Sequence, residues 1–150
     1  MGLGAFSRAS TAPDHASDEN KASAASTKGA LTVIESHTTG GAPPHTHSRE
    51  DEAFYVLDGV LTVRCGADIW EADRGCFVFL PRGLAHSWDV LTLSASLLII
   101  AAPAGLDDFL REHHATSDPD RRAEISARYG TRVYVRCGAP ATAGGKRNPG

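Results

Sequence analysis

The sequence predicts an all-β domain, a sandwich or small barrel, on three observations. Seven short runs rich in Val, Ile, Leu, Phe and Thr are separated by turn residues. Asp58-Gly59 stands between two of these runs as a hairpin signal, because Gly accepts the positive φ of a tight turn. The runs follow one another at the regular spacing of sandwich and barrel strands, with no helical segment between them.

Residues 1–29 are mostly Ala, Ser, Thr and other small polar residues with almost nothing to fill a core, and they read as a flexible arm. The expected folded unit is 30–137, near the usual size of one domain. Its strand runs are LTVIES from Leu31, EAFYVL from Glu52, VLTVRC from Val60, DIWEA from Asp68, CFVFL from Cys76, AHSWDVL from Ala85 and SASLLIIAA from Ser94. Ala67-Asp68 and Asp73-Arg74-Gly75 mark further turns. The period then changes. Leu106, Phe109, Leu110 and His113 recur at i, i+3, i+4, i+7, which predicts an amphipathic helix. A second helix is expected to start at Ser117 or Asp118 as N-cap with Pro119 in its first turn, to carry Ala123, Ile125 and Tyr129, and to stop at Gly130. Both are expected to pack outside the barrel, and TRVYV from Thr131 to return the chain to the sheet. Residues 138–150, rich in Gly, Pro and Ala, read as a second tail.

Composition narrows the function classes. A chain of 150 residues, 41% hydrophobic and 22% charged, supports one core and leaves little room for a second. The longest apolar run, Leu97 to Pro103, is too short to cross a bilayer. Fifteen Lys and Arg against 18 Asp and Glu give a net charge of −3, without the basic excess of a nucleic-acid binder. Cys65, Cys76 and Cys137 are too few for a disulfide framework and lack zinc-ribbon spacing, which suggests a reducing compartment. Polar residues from Ser7 onward interrupt any export-signal core, so a cytoplasmic location is expected.

Histidine is the unusual feature of the composition, with seven residues. His45 and His47 form an HxH pair, and on a strand such a pair aims both imidazoles at one face. A polar bend, Ser48 to Asp51, leads to Glu52, whose carboxylate an antiparallel return would set beside them. Alternation places Phe54 and Val56 on the same inward face. In PRGLAHSW, Pro81 and Gly83 build a turn, His86 opens a strand toward the same interior, and Trp88 follows it inward. Three neutral imidazoles and one carboxylate suit a divalent transition metal (Fe, Ni, Mn, Co, Cu or Zn) over Mg or Ca, with coordination positions left open. Such an ion with one carboxylate keeps a formal +1, which favours anionic, enolate-like ligands.

At these residues the chain resembles the cupin superfamily, whose motifs are G(X)5HXH(X)3–4E(X)6G and G(X)5PXG(X)2H(X)3N. His45, His47, Glu52 and Gly59 match the first; Gly75, Pro81, Gly83 and His86 match the second. Thr39 stands at the leading Gly, beside Gly40 and Gly41, and Val90 at the final Asn, both turn or packing positions. From Gly40 to Glu112 the chain is similar to small single-domain quercetin-dioxygenase-like cupins. The resemblance implies a double-stranded β-helix, or jelly-roll barrel, with one or two short C-terminal helices. It implies His45, His47, Glu52 and His86 as ligands of one metal per chain, and a homodimer.

Three functions follow as expectations. In a quercetinase-like dioxygenase, Glu52 is ligand and base, and Phe54, Val56, Phe77, Phe79 and Trp88 form the pocket of an aromatic or enolic substrate. A redox-neutral polyketide cyclase or isomerase would use the same pocket. A non-catalytic binding cupin is disfavoured by the complete ligand set. His37 is expected at a strand end near the first motif, His113 and His114 on the helix, and Cys65 and Cys76 as small hydrophobes. Arg49, Glu50 and Asp51 read as a solvated bend. No GxSxG nucleophile elbow is present.

Overall fold

A computed structural model describes residues 17–134. Ten strands and two helices follow in order: β1 Ser17–Ala22, β2 Thr32–Thr38, β3 Ala42–His47, β4 Asp51–Asp58, β5 Leu61–Cys65, β6 Asp68–Ala72, β7 Phe77–Leu80, β8 His86–Val90, β9 Ala95–Ala102, α1 Leu106–His114, α2 Pro119–Tyr129 and β10 Thr131–Val133. They form two five-stranded antiparallel sheets, β1-β2-β9-β4-β7 and β10-β3-β8-β5-β6, stacked as the expected jelly roll.

Period-2 alternation builds the core between the sheets. Phe54 and Val56 on β4, Leu61 and Val63 on β5, Val78 and Leu80 on β7, and Leu97 on β9 point inward and are buried. Gly59 turns β4 into β5 with φ +85°, and a Cβ there would stand 2.6 Å from the Ser94 carbonyl oxygen. Only glycine fits that turn.

The helices start and stop as their caps predict. The Asp118 side chain accepts from the Asp120 N–H at 3.0 Å, Pro119 opens α2, and Gly130 closes it in the left-handed region at φ +74°. Leu106, Phe109 and Ile125 join the core cluster. Among the described residues no helix is long and apolar enough to cross a membrane.

Two expectations change. Ser17–Ala22, assigned to the flexible arm, is a strand pairing with β2, with Ser17 opposite His37 and Asn20 opposite Ile34. Its sequence, SDENKA, carries no apolar period because an edge strand is held through its backbone. Glu52 does not return beside the HxH strand either. β3 pairs with β8 and β10, whereas β4 pairs with β7 and β9 in the opposite sheet. The tail 138–150, Cys137 and His15 lie outside the described residues.

Candidate metal centre

The histidines come from one sheet and the carboxylate from the other. Pro43 and Pro44 lack N–H groups, and the β3–β8 register shifts between Ala42 and His45. Beyond the shift, His45 stands opposite His86. Gly41 lets the strands approach, since a Cβ there would lie 1.9 Å from the Trp88 carbonyl oxygen. His47, two residues past His45, faces the same interior and is paired with Thr131 of β10. The Pro81–Leu84 turn is tied to this strand by the Gly83 N–H, which donates to the His47 carbonyl at 2.7 Å. Arg82 completes the clamp through two bonds to the Asp51 carboxylate, Nε to Oδ1 at 3.1 Å and Nη2 to Oδ2 at 2.9 Å. The guanidinium holds the Asp51 carboxyl down at a pKa of about 2.

From across the barrel Glu52 Oε2 lies 3.0 Å from His86 Nε2, 3.3 Å from His47 Nε2 and 3.9 Å from His45 Nε2. Donors about 2.1 Å from one ion stand about 3.0 Å apart when cis and about 4.2 Å when trans, so these spacings fit a shared ion. The tautomers fit too. His45 Nδ1 is 2.7 Å from the Pro43 carbonyl, His86 Nδ1 is 3.1 Å from the Leu84 carbonyl, and His47 Nδ1 is 2.9 Å from Glu50 Oε1. Each of those oxygens only accepts, so Nδ1 carries the proton and the neutral ring turns its Nε2 lone pair toward Glu52. Lone pairs converging on a buried carboxylate are satisfied by a cation or by protons.

Without an ion, protons take that place. Burial opposes a charged His47, but the bonds to Glu50 and Glu52 together outweigh it and raise its pKa to about 9. Burial pushes the Glu52 carboxyl up, yet the bonds from His45, His47 and His86 hold it well below the usual range. The His45 side chain is 12% exposed, the most open of the four.

The structure brings together four of the predicted site residues, His45, His47, Glu52 and His86, with donor atoms all within 4.8 Å of one another. Phe54, Val56 and Trp88 face the interior behind them, Phe54 and Trp88 edge to face with ring centroids 5.7 Å apart. Phe77 and Phe79 do not line it. β7 turns them outward, 63% and 54% exposed, and sends Val78 and Leu80 inward. His37 is also on an outer face, bonded to Ser96 Oγ at 2.7 Å and paired with Glu35. His113 lies against Phe109 with the rings tilted by 41° and their centroids 5.2 Å apart, and Cys65 is buried.

Two residues at the site escaped sequence reasoning. Glu50 is no part of a solvated bend: it is 7% exposed and bonded to His47. Thr131 Oγ1 stands 3.1 Å from the same Nδ1. An acidic residue three after a histidine was the one available signal, and it was hidden in the charged run REDE.

Residues 31–100 match the family model described as Cupin domain, a stretch that holds most of both sheets and all four converging residues. A relative in Streptomyces coelicolor, the uncharacterized protein SCO3923, is 26% identical over 73 residues, 49% of this chain and 67% of the relative. KdgF from a Halomonas species superposes with a TM-score of 0.55 at 19% identity, covering 62% of this chain and 83% of KdgF. TT1209 from Thermus thermophilus gives 0.54 at 22% identity, covering 63% of this chain and 90% of TT1209. At these identities the solved structures establish the fold alone.

Proposed function

We propose that this protein is a metal-dependent enzyme that binds one divalent transition ion through His45, His47, Glu52 and His86 and moves a proton on a small enolisable or phenolic substrate. The observation that carries this is the convergence of three Nε2 atoms on one buried carboxylate oxygen. A bound ion would supply Lewis acidity toward a substrate oxygen. The chain's own groups do the rest. Glu52 accepts the substrate proton at a carboxylate oxygen and returns it, at a site where burial excludes bulk water. Phe54 and Trp88 give the substrate an apolar wall, and the approach past His45 admits it.

A quercetinase-like dioxygenase and a redox-neutral isomerase or polyketide cyclase share this proton transfer. The redox-neutral reading gains from β7, because the pocket expected for an aromatic substrate drew on four aromatic side chains and two of them, Phe77 and Phe79, face outward. The test is deuterium exchange at the acidic carbon of β-dicarbonyl compounds, followed by NMR, together with conversion of flavonols and β-dicarbonyl compounds by the metal-loaded protein, with and without O₂. Exchange that requires metal and is lost in Glu52→Gln supports the reading. Turnover without O₂ selects the isomerase or cyclase, and strict O₂ dependence selects the dioxygenase. Exchange equal to that of buffered metal alone overturns the enzyme.

The homodimer is proposed through the outer face of the β1-β2-β9-β4-β7 sheet. Phe77 and Phe79 on β7, its edge strand among the described residues, and Tyr55 beside them form an exposed apolar patch suited to a second copy.

A further inference from the structure

We propose that Glu50 is a positioning residue of the metal centre: its buried carboxylate fixes His47 as an Nε2 donor and adds a second negative charge behind the ion. This rests on the metal reading above and deepens it.

The three histidines are not supported alike. His45 and His86 rest their Nδ1–H groups on neutral main-chain carbonyls, of Pro43 and Leu84. His47 alone rests on a carboxylate, with Glu50 Oε1 at 2.9 Å, and Thr131 Oγ1 is a second oxygen at 3.1 Å. A carboxylate behind an imidazole fixes the ring's tautomer and orientation and makes its far nitrogen a stronger donor. A divalent ion held by Glu52 alone keeps a formal +1, and Glu50, one imidazole away, brings the local charge near zero.

The fold builds a cover over this pair. The Ser48 N–H donates to the Gly130 carbonyl at 2.9 Å, and a Cβ on Gly130 would stand 2.3 Å from Ser48 Oγ and 3.2 Å from Arg49 Nε. The end of α2 therefore lies hard against the bend holding Glu50, and β10 pairs Thr131 with His47. A carboxylate kept 7% exposed in a run of charged residues needs a partner, and its partner here is a candidate metal ligand.

The test compares wild type, Glu50→Gln, Thr131→Val and a charge control, Asp89→Asn, whose carboxylate pairs with Arg64 on the outer side of β8. Co²⁺ affinity is measured by chelator competition, and the His47 tautomer by long-range ¹H–¹⁵N NMR of the Zn²⁺-loaded full chain. The expected results are Nε2-metallated His47 with a downfield Nδ1–H, Co²⁺ binding about 10- to 100-fold weaker in Glu50→Gln, a smaller loss in Thr131→Val, and none in Asp89→Asn. Glu50→Gln should also move the Nδ1–H resonance, which a merely structural role would leave in place. If Glu50→Gln does not fold, the wild-type tautomer decides. Metallation of His47 through Nδ1, or a Glu50→Gln affinity within about twofold of wild type, overturns this inference while leaving the metal centre standing. Wild type that binds neither ion overturns both.

Discussion

Metal uptake should expel a proton from His47. In the metal-free protein the bonds to Glu50 and Glu52 outweigh burial and raise this imidazole to a pKa of about 9. At pH 7 about one molecule in a hundred has the neutral ring an ion needs, so protonation costs the ion about 2.7 kcal/mol, or about 100-fold in apparent affinity. The proton that leaves is the one on Nε2, because Nδ1–H stays with Glu50. Titration calorimetry with Co²⁺ at pH 7, run in buffers of different ionisation enthalpy, counts it: release of about one proton per ion is expected from His47, with affinity rising about tenfold per pH unit and levelling off beyond pH 9. Affinity flat from pH 6.5 to 8.5, with no proton released, would refute this account of the site.

The same protonation sets different pH trends for the metal-free and metal-saturated forms. In the metal-free protein the rise of His47 from 6.5 to about 9 contributes at most about 3 kcal/mol, present below pH 6.5 and lost as pH rises through 9. Glu52, held below its ordinary 4.5, contributes above that pH and loses its contribution as pH falls through its folded value. Melting curves from pH 6.5 to 9 should therefore fall for the metal-free protein and stay level for the protein saturated with Co²⁺, whose rising affinity offsets that fall; parallel curves would contradict it. In the core, Phe54→Ala empties a fully buried position and should cost about 3–5 kcal/mol in urea unfolding, against less than about 1 for Phe77→Tyr. Gly130→Ala places a Cβ against Ser48 where φ is +74°, and should weaken Co²⁺ binding by loosening β10 from His47; unchanged binding would detach the C-terminal segment from the site. The double variant Phe77→Ser, Phe79→Ser should sediment as a monomer with wild-type Co²⁺ affinity, and a dimer that persists would rule out this face.

Much of the site was legible because ligand spacing is local. HxH fixes two imidazoles to one face of a strand, and the Pro81–Gly83 turn delivers His86 whatever surrounds it. The helix caps Asp118, Pro119 and Gly130 were legible for the same reason. What misled depended on partners far along the chain. CFVFL is apolar at every position, so nothing in it says which parity faces inward, and a one-residue offset exchanges Phe77 and Phe79 for Val78 and Leu80. Glu52 is near the HxH pair in sequence, which suggests a hairpin, but the bend at Ser48–Glu50 carries the chain into the other sheet. Glu50 looks solvated until α2 and β10, about 80 residues later, cover it.

Whether His45, His47, Glu52 and His86 share one ion is decided by X-ray absorption of the Co²⁺-loaded protein, with the His45→Ala, His47→Ala, His86→Ala triple variant beside it. One ion per chain, with three imidazoles in its scattering shell at about 2.1 Å, is expected for wild type, and no bound ion for the triple variant. A triple variant that retains the ion, or a wild-type shell without imidazole, would contradict it.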